Sequence, residues 1–182
     1  MPWRRVQKSP SSHRLRVADM QARGRVSIQT ADFNVANEIA ALRASEYGVG
    51  AVCSFVGTVR DGNGNPSESP VLSMELEHYP GMTEKAIEAM IDETHRRFNV
   101  CGARVIHRVG LLQPADQIVL VVVTSAHRGE SFKACEFLMD YLKTQAPFWK
   151  KEQTASGSHW VDARIADDAA LARWGIVSPN AG

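Results

Sequence analysis

The chain has 182 residues, 44% of them hydrophobic and 23% charged, with a net charge of +1. That is enough for one domain with a real core, and too close to neutral for the molecule as a whole to attract polyanions, so any anion site must come from local clustering. No apolar run approaches the ~20 residues that a membrane-spanning helix needs, and no secretory apolar segment lies near the first residue.

Residues 1–25 stand apart. Arg4, Arg5, Lys8, Arg14, Arg16, Arg23 and Arg25 face one acid, Asp19, with few apolar residues between them. A disordered basic extension is the favoured reading, a transit peptide and a phosphate-binding arm the alternatives. Cys53, Cys101 and Cys135 are odd in number and far apart, without a CxxC pair. They suggest neither a zinc site nor a redox couple, and a reducing, cytoplasmic setting is expected. Cys53 and Cys135 lie in apolar patterns as small core residues.

In chain order, residues 26–29 form a short strand. Residues 34–44 carry Val35, Ile39, Ala40 and Leu42 at helical spacing. Gly48-Val49-Gly50 breaks the chain before a buried strand over 51–59. Asp61-Gly62-Asn63-Gly64-Asn65-Pro66 is a loop. Residues 71–78 alternate, with Leu72, Met74 and Leu76 on one face and Glu75 and Glu77 on the other. After the Pro80-Gly81 turn, residues 83–98 make a helix whose apolar stripe is Ala86, Ile87, Met90, Ile91 and Thr94. Residues 103–109 form a strand, and Gly110 and Pro114 bound a turn. The continuous β-branched run over 118–124 predicts a central strand. Residues 131–144 make the second long helix, with Phe132, Cys135, Leu138, Met139 and Leu142 inward. Residues 148–154 and 159–161 form a hairpin around Gly157, and 167–174 a last helix. Strands and helices alternate irregularly, which argues α+β, and neither a GxGxxG turn nor a P-loop is present.

The joint at Pro147 carries the strongest chemical signal. Proline ends the helix, and Lys143 and Lys150 flank it at a separation that a rigid joint holds constant. Lys143 follows Met139 by four residues beside the apolar stripe, where packing would desolvate its amine. A lysine whose stem covers the core and whose head reaches water is the plainer reading of that position taken alone. Lys150 shares a strand face with Phe148 and Glu152, while Trp149 and Lys151 face the other way. Its plainer reading is a solvated edge-strand lysine.

Ser125-Ala126-His127-Arg128 follows the central strand and opens a helix, a place where free N–H groups favour anions. Arg128 suits phosphate, and His127 can orient a substrate or move a proton. A capping serine and a satisfied histidine are the structural alternatives. Val59-Arg60, at the end of another strand, follows the same logic, with a surface ion pair as its alternative. His107-Arg108 precedes a tight turn and is weighed as structural. No nucleophile elbow surrounds Ser125, and no base lies near a cysteine in sequence. Cations without a nucleophile imply that the nucleophile arrives from elsewhere.

Phe55-Val56-Gly57-Thr58-Val59-Arg60, Leu76-Glu77-His78-Tyr79-Pro80-Gly81-Met82, Ile106-His107-Arg108-Val109-Gly110, Ser125-Ala126-His127-Arg128 and the run from Leu142-Lys143 to Glu152 agree in order and spacing with one family. The chain resembles the large, catalytic subunits of molybdopterin synthase, the MoaE family, from about residue 26 to 174. Ser131 stands where that family often has alanine.

The resemblance implies an α/β-hammerhead-type fold with an additional small antiparallel β-subdomain over 26–174, leaving 1–25 as a basic extension and 175–182 as a flexible tail. It implies a homodimer that binds two copies of a small ubiquitin-like sulfur carrier, making a heterotetramer. The carrier ends in Gly-Gly with a C-terminal thiocarboxylate. The implied substrate is cyclic pyranopterin monophosphate, which receives two sulfurs to become the dithiolene of molybdopterin. Lys143 and Lys150 would be catalytic, Lys143 as general acid/base and Lys150 steadying negative charge or the thiocarboxylate. Thr58, Val59, Arg60, His127, Arg128, Lys151, Glu152 and Arg164 would join them in binding substrate, some from the second subunit. No metal or cofactor is implied for this step, and no nucleic acid or membrane. A non-catalytic scaffold that holds a ubiquitin-like tail is the alternative.

Overall fold

The apolar run becomes the inner strand of a four-stranded sheet. Its residues alternate between two cores: Val119, Val121 and Val123 join one cluster, Leu120 and Val122 another. A strand buried on both faces needs no polar positions, which is why the run is continuous. The computed structural model describes residues 24–44, 48–62, 70–161, 170 and 172–176. The elements are β1 (Val26–Gln29), α1 (Val35–Ala44), β2 (Ala51–Thr58), β3 (Val71–His78), α2 (Met82–Arg97), β4 (Val100–Arg108), β5 (Gly110–Leu112), β6 (Gln117–Ser125), α3 (Arg128–Gln145), β7 (Phe148–Thr154) and β8 (Gly157–Val161).

The first sheet has the order β1-β4-β6-β2, with β1 parallel to β4 and the other pairs antiparallel. α1 covers one face through Leu42, beside Phe33, Ile106, Leu120 and Val122. α2 and α3 cover the other, where Ile87, Met90, Ile91, Ala134, Cys135 and Leu138 meet Val105 and the odd-numbered valines of β6. Full burial of each such aliphatic side chain contributes roughly 1.5–3 kcal/mol. The second sheet, β5-β3-β7-β8, is antiparallel throughout. Val59, Met74, Leu76 and Leu112 join it to the first, together with Val109 and Ile118.

Local signals account for the boundaries. Asn34 caps α1, its side-chain oxygen accepting from the Asn37 N–H at 3.0 Å. Gly81 takes φ 81° before α2, and Glu84 reaches back to accept from the Gly81 N–H at 2.6 Å. Cys135 is buried and Cys53 packs against the same cluster, the core role expected of both. Burial pushes the Cys135 thiol up, and the neighbouring Cys53 adds to the shift.

Four expectations need correction. β2 was expected to be buried, but it is an edge strand whose Phe55 is 40% exposed. An apolar run does not reveal whether a second strand flanks it. Leu72 is 54% exposed, and Val71 is buried instead. The β3–β7 register shifts between Val71 and Ser73, so the alternation changes phase there. Phe132 is 59% exposed, whereas Ser131, Ala134 and Phe137 are buried. The stripe of α3 runs through 131, 134, 135, 138, 139 and 142, and Phe132 sits one position off it. Gly110 does not bound a turn: it opens β5, and the turn follows at 113–116 with Ala115 at φ 76°. Half of the predicted helix over 167–174 (residues 167–169 and 171), and residues 63–66 of the predicted loop, lie outside the described residues.

Candidate functional site

Two groups of cationic residues form, at opposite ends of the first sheet. β2 runs antiparallel to β6, with Ala51 opposite Ser125 and Thr58 opposite Gln117. The strand therefore separates Gly50 from Arg60 by more than about 24 Å of chain. His127 and Arg128 lie beside Gly50, while Thr58, Val59 and Arg60 lie at the far end. There the Val59 N–H donates to the Asp116 carbonyl at 2.9 Å, and Val59 is buried. Thr58 and Arg60 are exposed.

α3 starts at Arg128 and runs back along the sheet. Lys143 lies 15 residues on, roughly 22 Å along the axis. Lys143 is exposed, in keeping with the plainer reading of a lysine whose head reaches water. Met139, four residues earlier, is buried, since the helix meets the core with 139 and 142 rather than with 143. The chain then turns: the Ala146 N–H donates to the Leu142 carbonyl at 3.2 Å, and the Phe148 N–H to the Ala146 carbonyl at 2.9 Å.

β7 carries Phe148, Lys150 and Glu152 on its inner face. Lys150 pairs with Leu76 and Glu152 with Met74, both buried. Lys150 Nζ donates to Glu152 Oε1 at 2.8 Å, and His159 Nε2 lies 3.7 Å from Glu152 Oε2. Lys151 is on the outer face, its Nζ 5.7 Å from the centre of the Trp160 ring. Trp149 also points outward and meets Tyr79 edge-on at 4.5 Å. Val59 shares a buried cluster with Leu76 and Met74, the residues opposite Lys150 and Glu152, so these two lie toward the Thr58–Arg60 end, as does the C-terminal end of α3 with Lys143, and Lys151 faces away from them. Arg164 lies outside the described residues.

At the other end an open pocket of about 470 Å³ is lined by Gly50, Ala126, His127, Arg128 and Gly129. His127 is extended, at φ −132°, and α3 begins directly after it, so the pocket is lined by the first residues of the helix, the end that favours anions. Ser125 is buried and its Oγ donates to the His127 carbonyl at 2.7 Å, which holds the loop and leaves no serine–histidine dyad. Gly50 was seen in the sequence only as a breaker. A Cβ there would stand 2.3 Å from the Ala126 carbonyl oxygen, so glycine is what lets β2 approach the pocket loop. Among the described residues, no group of three or more histidine, cysteine or acidic side chains could hold a metal ion. No helix among them is long and apolar enough to cross a membrane.

The model of the family described as MoaE protein matches residues 28–145. The chain belongs to the MoaE family. It is 62% identical over 156 residues to a molybdopterin synthase catalytic subunit of Ralstonia nicotianae, covering 86% of this chain and 87% of that protein. It is 53% identical over 150 residues to the Vibrio cholerae protein of the same name, covering 82% and 97%. Among solved structures, a molybdopterin biosynthesis MoaE protein from Burkholderia ambifaria aligns with TM-score 0.72 at 56% identity, covering 83% of this chain and 97% of that one. The α+β fold, with its helix-covered mixed sheet and smaller antiparallel sheet, is therefore that of MoaE proteins. Thr58–Arg60, His127, Arg128 and Lys143 of this MoaE-family chain fall inside the stretch that the family model matches, and Lys150 and Glu152 lie just past its end.

Proposed function

We propose that this chain is the catalytic subunit of molybdopterin synthase, a sulfurtransferase of molybdenum cofactor biosynthesis. It takes sulfur from the C-terminal thiocarboxylate of a small ubiquitin-like carrier and places it on cyclic pyranopterin monophosphate. The observation that carries this reading is family membership over most of the chain, joined to a site rich in cations and poor in nucleophiles. The relatives are named catalytic subunits, which supports a second, non-catalytic subunit as partner.

In each transfer a substrate carbon exchanges a carbon–oxygen bond for a carbon–sulfur bond. The carrier's acyl carbon exchanges sulfur for oxygen and ends as a carboxylate. Lys143, exposed at the end of α3, moves the proton. Lys150, held by Glu152, faces the negative charge that develops on the acyl group or on the departing oxygen. General acid–base assistance of this kind contributes ~10² to 10⁴-fold. Arg60 and Thr58 lie at the same end and suit the anionic substrate.

His127 and Arg128 lie too far from the lysines of their own chain to share a substrate with them. A homodimer that brings the pocket of one copy to the lysines of the other resolves this, and two carriers then complete a heterotetramer. Arg164 is kept as a further anion contact. The catalytic unit spans residues 26–174, with 1–25 and 175–182 outside it, and works in the cytoplasm.

The test is turnover with purified chain, thiocarboxylated carrier and cyclic pyranopterin monophosphate, following the fluorescent oxidised product. Product that collapses in Lys143→Ala with carrier binding intact supports the reading. Tight carrier binding without any product in the unaltered protein would make the chain a scaffold.

A further inference from the structure

Pro147 and Phe148 connect the helix that carries Lys143 to the strand that carries Lys150. Two side chains from other elements grip this connection. Thr83, fully buried in the first turn of α2, donates from Oγ1 to the Pro147 carbonyl at 3.3 Å. The same oxygen accepts from the Tyr79 N–H at 3.2 Å, so the hydroxyl bridges the β3–α2 turn to the joint. His107, at the end of β4, stacks on the Phe148 ring with centroids 3.9 Å apart and planes 20° from parallel. Its Nδ1 lies 2.8 Å from the Arg108 carbonyl, which fixes the ring's rotation.

Both contacts come from polar side chains outside the apolar cluster of Ile87, Met90, Ile91 and Leu138, against which Phe148 itself packs. The ring is neutral at ordinary pH, because burial holds it near about 4, so the stack carries no charge toward the site. Proline cannot donate to a ladder, and its carbonyl sits where the chain leaves the helix and has not yet entered the sheet. A hydroxyl from a third element is what holds that carbonyl in place.

We propose that Thr83 and His107 are positioning residues of the sulfur-transfer site, clamping Pro147–Phe148 so that Lys143 and Lys150 keep one fixed relation. This rests on the two lysines carrying the chemistry, as argued above. Catalytic groups displaced by a fraction of an ångström lose activity while binding is kept, so the clamp acts on turnover rather than on carrier affinity.

The experiment compares Thr83→Val, Thr83→Ser and Thr94→Val in the full chain with its thiocarboxylated carrier. Thr94 is also fully buried on α2, and its hydroxyl donates to the Met90 carbonyl at 2.8 Å, away from the joint. Its valine variant controls for the loss of a buried hydroxyl. Thr83→Val is expected to lower kcat about tenfold with carrier Kd and substrate KM changed less than about twofold. Thr83→Ser restores kcat, and Thr94→Val, at a similar drop in melting temperature, retains it. His107→Leu, which removes the stack, lowers kcat in the same way. Wild-type kcat in Thr83→Val, or equal losses in the two valine variants, overturns the clamp. Lys143→Ala and Lys150→Ala run alongside: full activity in both would overturn the assignment of the lysines, a different failure from that of the clamp.

Discussion

Lys150 and Glu152 occupy alternate positions on the inner face of β7, joined Nζ to Oε1 at 2.8 Å above the buried side chains of Leu76 and Met74. The pair is partly shielded, with side-chain exposures of 29% and 14%. Glu152 therefore orients an amine that would otherwise sweep through solvent. Lys150→Met is expected to lower kcat at least about 100-fold. Glu152→Gln keeps an acceptor oxygen beside the amine and is expected to cost only about tenfold. Single-turnover rates with preloaded carrier check both. A larger loss in Glu152→Gln than in Lys150→Met would mean that the carboxylate, not the amine, meets the substrate.

His107 makes stability depend on pH. Its folded-state value is depressed from 6.5 to about 4 by burial, with His78 nearby adding to the shift. Between those values the unfolded chain binds the proton and the folded chain does not. Stability from this residue is thus present in full above about pH 6.5 and is lost as pH falls toward 4. The ceiling is about 3 kcal/mol, and the half-buried residue's remaining solvent contact reduces it. Denaturant unfolding at intervals from pH 7 to 4 is expected to show this decline, flattened in His107→Phe. That variant keeps an aromatic ring against Phe148 and has nothing to titrate.

Much of this was legible along the chain wherever a signal is local. Val35, Ile39, Ala40 and Leu42 announce their helix by spacing alone, and residues 118–123 announce a doubly covered strand by having no polar position. The position of Lys150 beside Phe148 and Glu152 follows from strand alternation alone. What stayed hidden depends on partners distant in sequence. Nothing at Leu72 marks the register shift that turns it outward, because the shift belongs to the pairing with β7. The exposed edge at Phe55 depends on where β2 is placed in the sheet order. The separation of Arg60 from Arg128 is likewise a matter of topology: each closes a strand end, but antiparallel pairing sends those ends in opposite directions. Thr83 gave no chemical signal, since its acceptor lies 64 residues away.

Gly50 offers a test of the pocket that does not alter a charge. A Cβ at this position would meet the Ala126 carbonyl at 2.3 Å, backbone against backbone, so neither side can yield by turning a side chain. Gly50→Ala is expected to push the pocket loop away from β2 and to destabilise the fold by about 1–3 kcal/mol. If the pocket binds the pterin phosphate, substrate KM rises while carrier Kd is unchanged. Thermal melts and steady-state kinetics separate the two effects, and an unchanged KM in a folded variant would remove the pocket from the site.

The opposite placement of the two cationic clusters predicts complementation between inactive chains. Arg128→Ala and Lys143→Ala each disable every site in their own homodimer. If the pocket of one copy serves the lysines of the other, a mixed dimer holds one site with both defects and one with neither. Random assortment makes half the dimers mixed, so co-expressed variants are expected to recover about a quarter of normal turnover. The single variants, purified alone, remain at their residual level. Separately tagged copies purified through both tags would raise the recovered activity to about half, because every dimer is then mixed. Were each site built from one chain, the mixed dimer would carry one lesion in every site and no activity would return. That outcome would require Arg128 to act on something other than the substrate held by the lysines of its own chain, more than 20 Å away by the rise of α3.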